Sequence, residues 1–226
     1  MAVDQKYIIS TVTPIVVEFT DEENYIINQR IKKFADKMKH SHEYYATKRN
    51  VKPEVAYKNN LFGKKGEFFA RDVFYTHFKY PIIEPDLQVY DEDVKSFSED
   101  LPFGRKYANL PNVHIKTCDS SRFNYEDSRG KSWTFQLKNN DNAGGTDPIL
   151  IKKANPTDLV AFIYMEGWHS KIGIIEAIIP LNVLTNKSNE LIEKPVSGLY
   201  KDIKRCVYLD TLYKHQELIE KCQALS

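Results

Sequence analysis

Cysteine is scarce in this chain: Cys118, Cys206 and Cys222 are the three among 226 residues, widely spaced and with no CxxC pair. A disulfide framework and a zinc ribbon both need more than that. No apolar run approaches the eighteen or so residues of a membrane span, and the opening MAVDQKYIIS lacks the basic start and apolar stretch of a secretory signal. No membrane association and a reducing, cytoplasmic setting are therefore expected. Internal repeats and low-complexity tracts are missing too, which argues against solenoids and linker arrays. Net charge is small, at +1, which excludes an indiscriminately sticky polycation.

What is present is a 42% apolar content, enough for a substantial core, and a strongly uneven distribution of charge. Between Asn28 and Arg71 twelve Lys or Arg stand against four acids; between Glu84 and Asp100 seven acids stand against Lys95 alone. A basic helical arm beside an acidic centre suits a polyanion bound next to a cation site. Two solvated surfaces of opposite bias are the plainer alternative.

In chain order, Tyr7 to Phe19 is apolar, and Pro14 confines it to an edge or interrupted strand. Thr20-Asp21-Glu22-Glu23 is a capping box, so a helix starts there, with Tyr25, Ile27, Ile31, Phe34 and Met38 at roughly helical spacing. His40 and His42, two apart, point in different directions on a helix and read as surface or DNA-facing residues. A second helix is expected from Leu61 to about Phe78, with Phe68, Phe69, Val73, Phe74 and Phe78 on its apolar side, Glu67 beside them, and Pro81 as its stop. Strands at Ile82 to Tyr90, Ser96 to Phe103 and Asn112 to Cys118 then read as a short-looped antiparallel meander. Further strands are expected at Ser132 to Leu137 and, as a hairpin around Glu166 to His169, at Asp158 to Met165 and Lys171 to Ile179. An edge strand within Tyr200 to Leu209 and a helix from Thr211 to Leu225 end the chain.

The chemistry concentrates in the meander. Asp100 sits in one strand, and in the next strand alternation turns His114, Lys116 and Cys118 to one face, with Val113, Ile115 and Thr117 on the other. A strand carboxylate beside an x-Lys pair can hold a hard cation and orient a water, the two requirements of phosphodiester cleavage. A structural ion pair between adjacent strands uses the same residues. A nucleophilic Cys118 activated by His114 is a further possibility, although a buried thiol is the commoner role for such a residue.

The order helix with Glu67, strand with Asp100, strand with His114-x-Lys116 resembles the PD-(D/E)xK nuclease superfamily over roughly Leu61 to Ile179. The resemblance implies a restriction-endonuclease-like core, α/β in the α+β sense, with a central mixed sheet flanked by helices in the order helix, three-strand meander, helix, strand. It implies one domain, with residues 1–58 as an N-terminal strand and basic helical region, 59–180 as the catalytic core and 181–226 as a C-terminal elaboration. Glu67 and Asp100 become ligands to Mg²⁺ or Mn²⁺, and Lys116 becomes the catalytic lysine. Asp86, which completes a literal Pro85-Asp86, competes with Asp100 for the ligand role. His114 departs from the pattern by replacing the second acid; it is either a water-orienting or general-base group, or a residue whose missing oxygen Glu99 or Asp119 supplies, or the mark of a site that no longer cuts.

The activity that follows is metal-dependent DNA endonuclease, restriction-type or phage-type, with a homodimer plausible because duplex DNA has two strands to sever. The alternative is a non-cutting DNA- or protein-binding module on the same scaffold. Lys64, Lys65 and Arg71 are expected on the phosphate backbone, and Gln136, Lys138, Asn139 and Asn140 near a groove, with Gln136-Leu137-Lys138 as a weaker second x-Lys motif.

Overall fold

The computed structural model describes residues 15–38, 52–88, 100–107, 109–119, 137–138, 158–180, 191–195 and 203–207. Strand β1, Ile15–Glu18, leads directly into helix α1, Asp21–Lys37. The capping box forms as read: the Thr20 amide donates to Glu23 Oε2 at 2.8 Å and the Glu23 amide donates to Thr20 Oγ1 at 3.2 Å. Ile27, Ile31 and Phe34 line the buried side of α1, whereas Tyr25 faces outward.

The long helix α2 runs Pro53–Thr76, eight residues earlier than the pattern of apolar positions suggests. Proline at the first helical position carries a preset φ and lacks an N–H that would be unpaired there in any case. Asn59 and Asn60 are absorbed into the helix. At its far end the chain leaves through Lys79, whose φ of 57° is left-handed.

The three-strand antiparallel meander is not what forms. Residues 79–88 hold no strand; Pro81 and Pro85 each remove a donor that a sheet ladder requires. The Asp100 segment contributes a single antiparallel bridge, Leu101 to Val113, before it turns into the short helix α3, Phe103–Lys106. Only the third member is a full strand, β2, Val113–Asp119.

Strands β4, Leu159–Met165, and β5, Ile172–Pro180, make the expected hairpin, closed through Gly167 at φ 75° and carrying an irregularity between Phe162 and Ile163. The sheet order is β1-β5-β4-β2, with β2 parallel to β4 and the other pairs antiparallel. Residues of β4 are apolar and almost all buried, in keeping with its place inside the sheet between β5 and β2. The result is a mixed four-stranded sheet with helices, an α+β arrangement.

A second sheet holds β3, Leu137–Lys138, β6, Leu191–Pro195, and β7, Ile203–Val207, in the order β3-β7-β6. The strand expected at an edge, β7, is the middle one, because β6 was not visible as a strand in the sequence. The expected helix from Thr211 to Leu225 lies outside the described residues.

Helix α2 covers one face of the first sheet. Phe69 stacks on Phe19, with ring centroids 4.4 Å apart and planes 7° from parallel. A β-carbon at Gly173 would lie 2.5 Å from the Phe69 ring, and one at Gly66 would run into the Thr117 hydroxyl, so both glycines are where helix and sheet approach most closely. Phe74, Tyr80 and Phe103 close the end of this core, with the Tyr80 and Phe103 rings edge to face at 5.0 Å.

Candidate active site

Asp100 is fixed by the backbone of β2. Leu101 and Val113 exchange both amide bonds at 3.0 Å, and one rung further along, the Asp100 carboxylate accepts the Ile115 amide at 2.6 Å. A side chain thus replaces a missing strand partner at the free edge of β2 and satisfies a donor that would otherwise be unpaired. The carboxylate of Asp100 is thereby placed at the residue between His114 and Lys116.

Glu67 stands on the sheet-facing side of α2 and is buried, with both oxygens held by one ammonium: Lys64 Nζ lies 2.8 Å from Oε1 and 2.9 Å from Oε2. Burial pushes the Glu67 carboxyl up to about 8; Lys64 opposes that rise, and the charges of Asp100 and Asp86 add to it. Asp86 and Asp100 thus both act on Glu67 through space. Asp86 is tied within its own loop, accepting the Gln88 amide at 2.8 Å. Among the described residues no three His, Cys, Asp or Glu side chains stand at metal-ligand spacing.

No family model, characterised protein or solved structure matches this chain. The site has to be read from its own geometry.

His114 is not on the Glu67 side of β2. Thr117 touches α2 at Gly66, so alternation along β2 turns Val113, Ile115 and Thr117 toward the helix and His114 and Lys116 toward the opposite face. His114 is buried there with Nε2 3.5 Å from Asp158 Oδ2 and without a hydrogen-bond partner. The other Asp158 oxygen accepts the Asn112 amide at 3.1 Å and the Asn112 side chain at 3.3 Å. Lys116 shares the His114 face, so it approaches the Asp100 edge from the side away from Glu67.

Three basic residues of α2, Lys64, Lys65 and Arg71, have partners within the chain. Lys65 is fully buried, donating to Asn28 Oδ1 at 2.8 Å and to Asn24 Oδ1, with its ammonium 5.0 Å from the Phe19 ring centre and 5.4 Å from that of Phe69. Removal from water lowers it to about 8. Lys64 is engaged by Glu67, and Arg71 by Asp72 and Glu84. Lys58 on α2 and Arg30, Lys32, Lys33 and Lys37 on α1 are exposed. Of the groove residues, Lys138 belongs to β3, while Gln136, Asn139 and Asn140, like Glu99, His40 and His42, lie outside the described residues.

The pairing of Lys64 with Glu67 and the part played by Asp158 went unread in the sequence. Lys64 and Glu67 are three apart on a helix, a legible ion-pair spacing. Asp158 offered no such signal, since its partners Asn112 and His114 are more than forty residues away and meet it only through the parallel pairing of β2 with β4.

Proposed function

We propose that this chain is a metal-dependent endodeoxyribonuclease built on a restriction-endonuclease-like core. The observation that carries the reading is the Asp100 carboxylate bonded to the amide between His114 and Lys116 while its charge reaches buried Glu67. An acid beside β2, a helix acid and the x-Lys strand are the parts that support this reading. The parallel pairing of β2 with β4 in a mixed sheet is compatible with the central mixed sheet that the resemblance implies.

The donor chemistry suits a hard cation, although the carboxylates do not stand at metal-ligand spacing. Glu67, Asp86 and Asp100 offer only oxygen, which suits Mg²⁺ or Mn²⁺, and a buried carboxyl destabilised by two like charges is relieved by a divalent ion. When bound, such an ion would supply Lewis-acid stabilisation of the charge that grows on the phosphate. Asp100 is held rigid by Ile115, Glu67 gives up its proton, and an ammonium orients the water. Lys64, already on Glu67, is the nearer ammonium; Lys116 reaches the edge from the other face.

One observation favours a second reading, a non-cutting DNA- or protein-binding module: Lys64 already neutralises both oxygens of Glu67. Incubating supercoiled plasmid with purified protein in Mg²⁺, Mn²⁺ or EDTA separates the two. Metal-dependent nicking that is lost in Asp100→Asn, and lost in either Lys64→Met or Lys116→Met, is expected. A folded protein that cuts with neither metal would leave only the binding module.

A further inference from the structure

Arg30 on α1 and Arg71 on α2 converge on one carboxylate. Arg30 Nη2 lies 3.0 Å from Glu84 Oε2 and Arg71 Nη1 lies 2.9 Å from Glu84 Oε1, so each oxygen is taken by a different guanidinium. Both guanidinium carbons also lie over the Phe68 ring, 5.2 Å and 5.0 Å from its centre. Arg71 is oriented from behind, its Nε donating to Asp72 at 2.6 Å. Two planar donors on a buried ring, from two helices, form an oxyanion clamp, and the group in it is an oxyanion of the chain itself.

Glu84 is a weakly held occupant. Its side chain is 49% exposed and Arg30 is 43% exposed, against 14% for Arg71. Ion pairs this open to solvent contribute little. Glu84 also belongs to residues 79–88, which hold no helix or strand, so moving it breaks no ladder. A phosphate offers more oxygens and at least the same charge to guanidinium groups, whose geometry matches it. Arg71 follows Glu67 by four residues on α2, one turn further along the same side of the helix.

We propose that Arg30 and Arg71 form a binding site for a phosphate group, with Glu84 as the internal mimic that occupies it until phosphate displaces it. The site rests on the nuclease reading only for the source of the phosphate, a DNA backbone rather than free phosphate.

The test uses the full chain in EDTA, so that nothing is cut, with inorganic phosphate as one probe and duplex DNA as the other. Guanidinium NMR resonances of Arg30 and Arg71 should shift on phosphate titration, at lower concentration in Glu84→Gln than in the wild type. Glu84→Gln should tighten DNA binding severalfold, and Arg30→Gln should weaken it and lower the salt slope by about one. Phosphate that leaves both arginines unmoved in wild type and in Glu84→Gln overturns the site, and plasmid cutting alongside that result would leave the nuclease reading standing. Phosphate binding at the arginines with DNA affinity unchanged in both variants would keep the site and assign it to free phosphate.

Discussion

At the scale of single residues, the buried ionisable groups carry the sharpest consequences. Glu67 has a folded value near 8 against an ordinary 4.5, so across that interval the folded chain holds a proton that the unfolded chain has released. Stability should therefore fall as pH rises from about 4.5 to about 8 and level off above it. Glu67→Gln, which removes the titration but keeps the shape, should unfold at a higher temperature than the wild type at pH 8 and differ much less at pH 5, as thermal melts at the two pH values would read. Lys65 works in the opposite sense and in a higher window: its folded value near 8 lies below the usual 10.5, so its burial makes stability rise with pH between those values. Neither environment was legible in the sequence. The Lys64-Lys65 pair looks like two equivalent solvated cations; the i,i+3 spacing to Glu67 points to the partner of Lys64, but only the packing of α2 sends Lys65 into an aromatic pocket.

At the scale of elements, local signals held and long-range ones did not. The capping box, the apolar stripe of α1 and the β4–β5 hairpin were legible because each is specified within a few residues. The meander does not appear among the described residues because Pro81 and Pro85 disfavour a strand over residues 82–88, and β2 found its partner in a parallel strand far along the chain that no short-range rule points to. Thr20→Ala should cost about 1 kcal/mol through loss of the cap, readable as a lower denaturant midpoint. Gly66→Ala should cost more, about 1–3 kcal/mol, since its new methyl meets Thr117 where α2 lies on β2. Thr117→Ala in the same chain should recover part of that loss, because the two sites touch and their effects do not add.

At the scale of the whole molecule, helix α2 packs a mixed sheet with one side, and it carries both Glu67, whose carboxyl feels the charges of Asp100 and Asp86, and Arg71, which pairs with Glu84. Because Glu67 must lose its proton to bind a cation, metal binding and pH are coupled. The most direct measurement is a calorimetric Mn²⁺ titration of the full chain at pH 6.0 and at pH 8.0, beside Glu67→Gln and Asp100→Asn. Tighter binding at the higher pH, proton release at the lower one, and loss of binding in both variants are predicted. Binding that is independent of pH and unchanged in both variants would contradict the assignment of these carboxylates as the metal site.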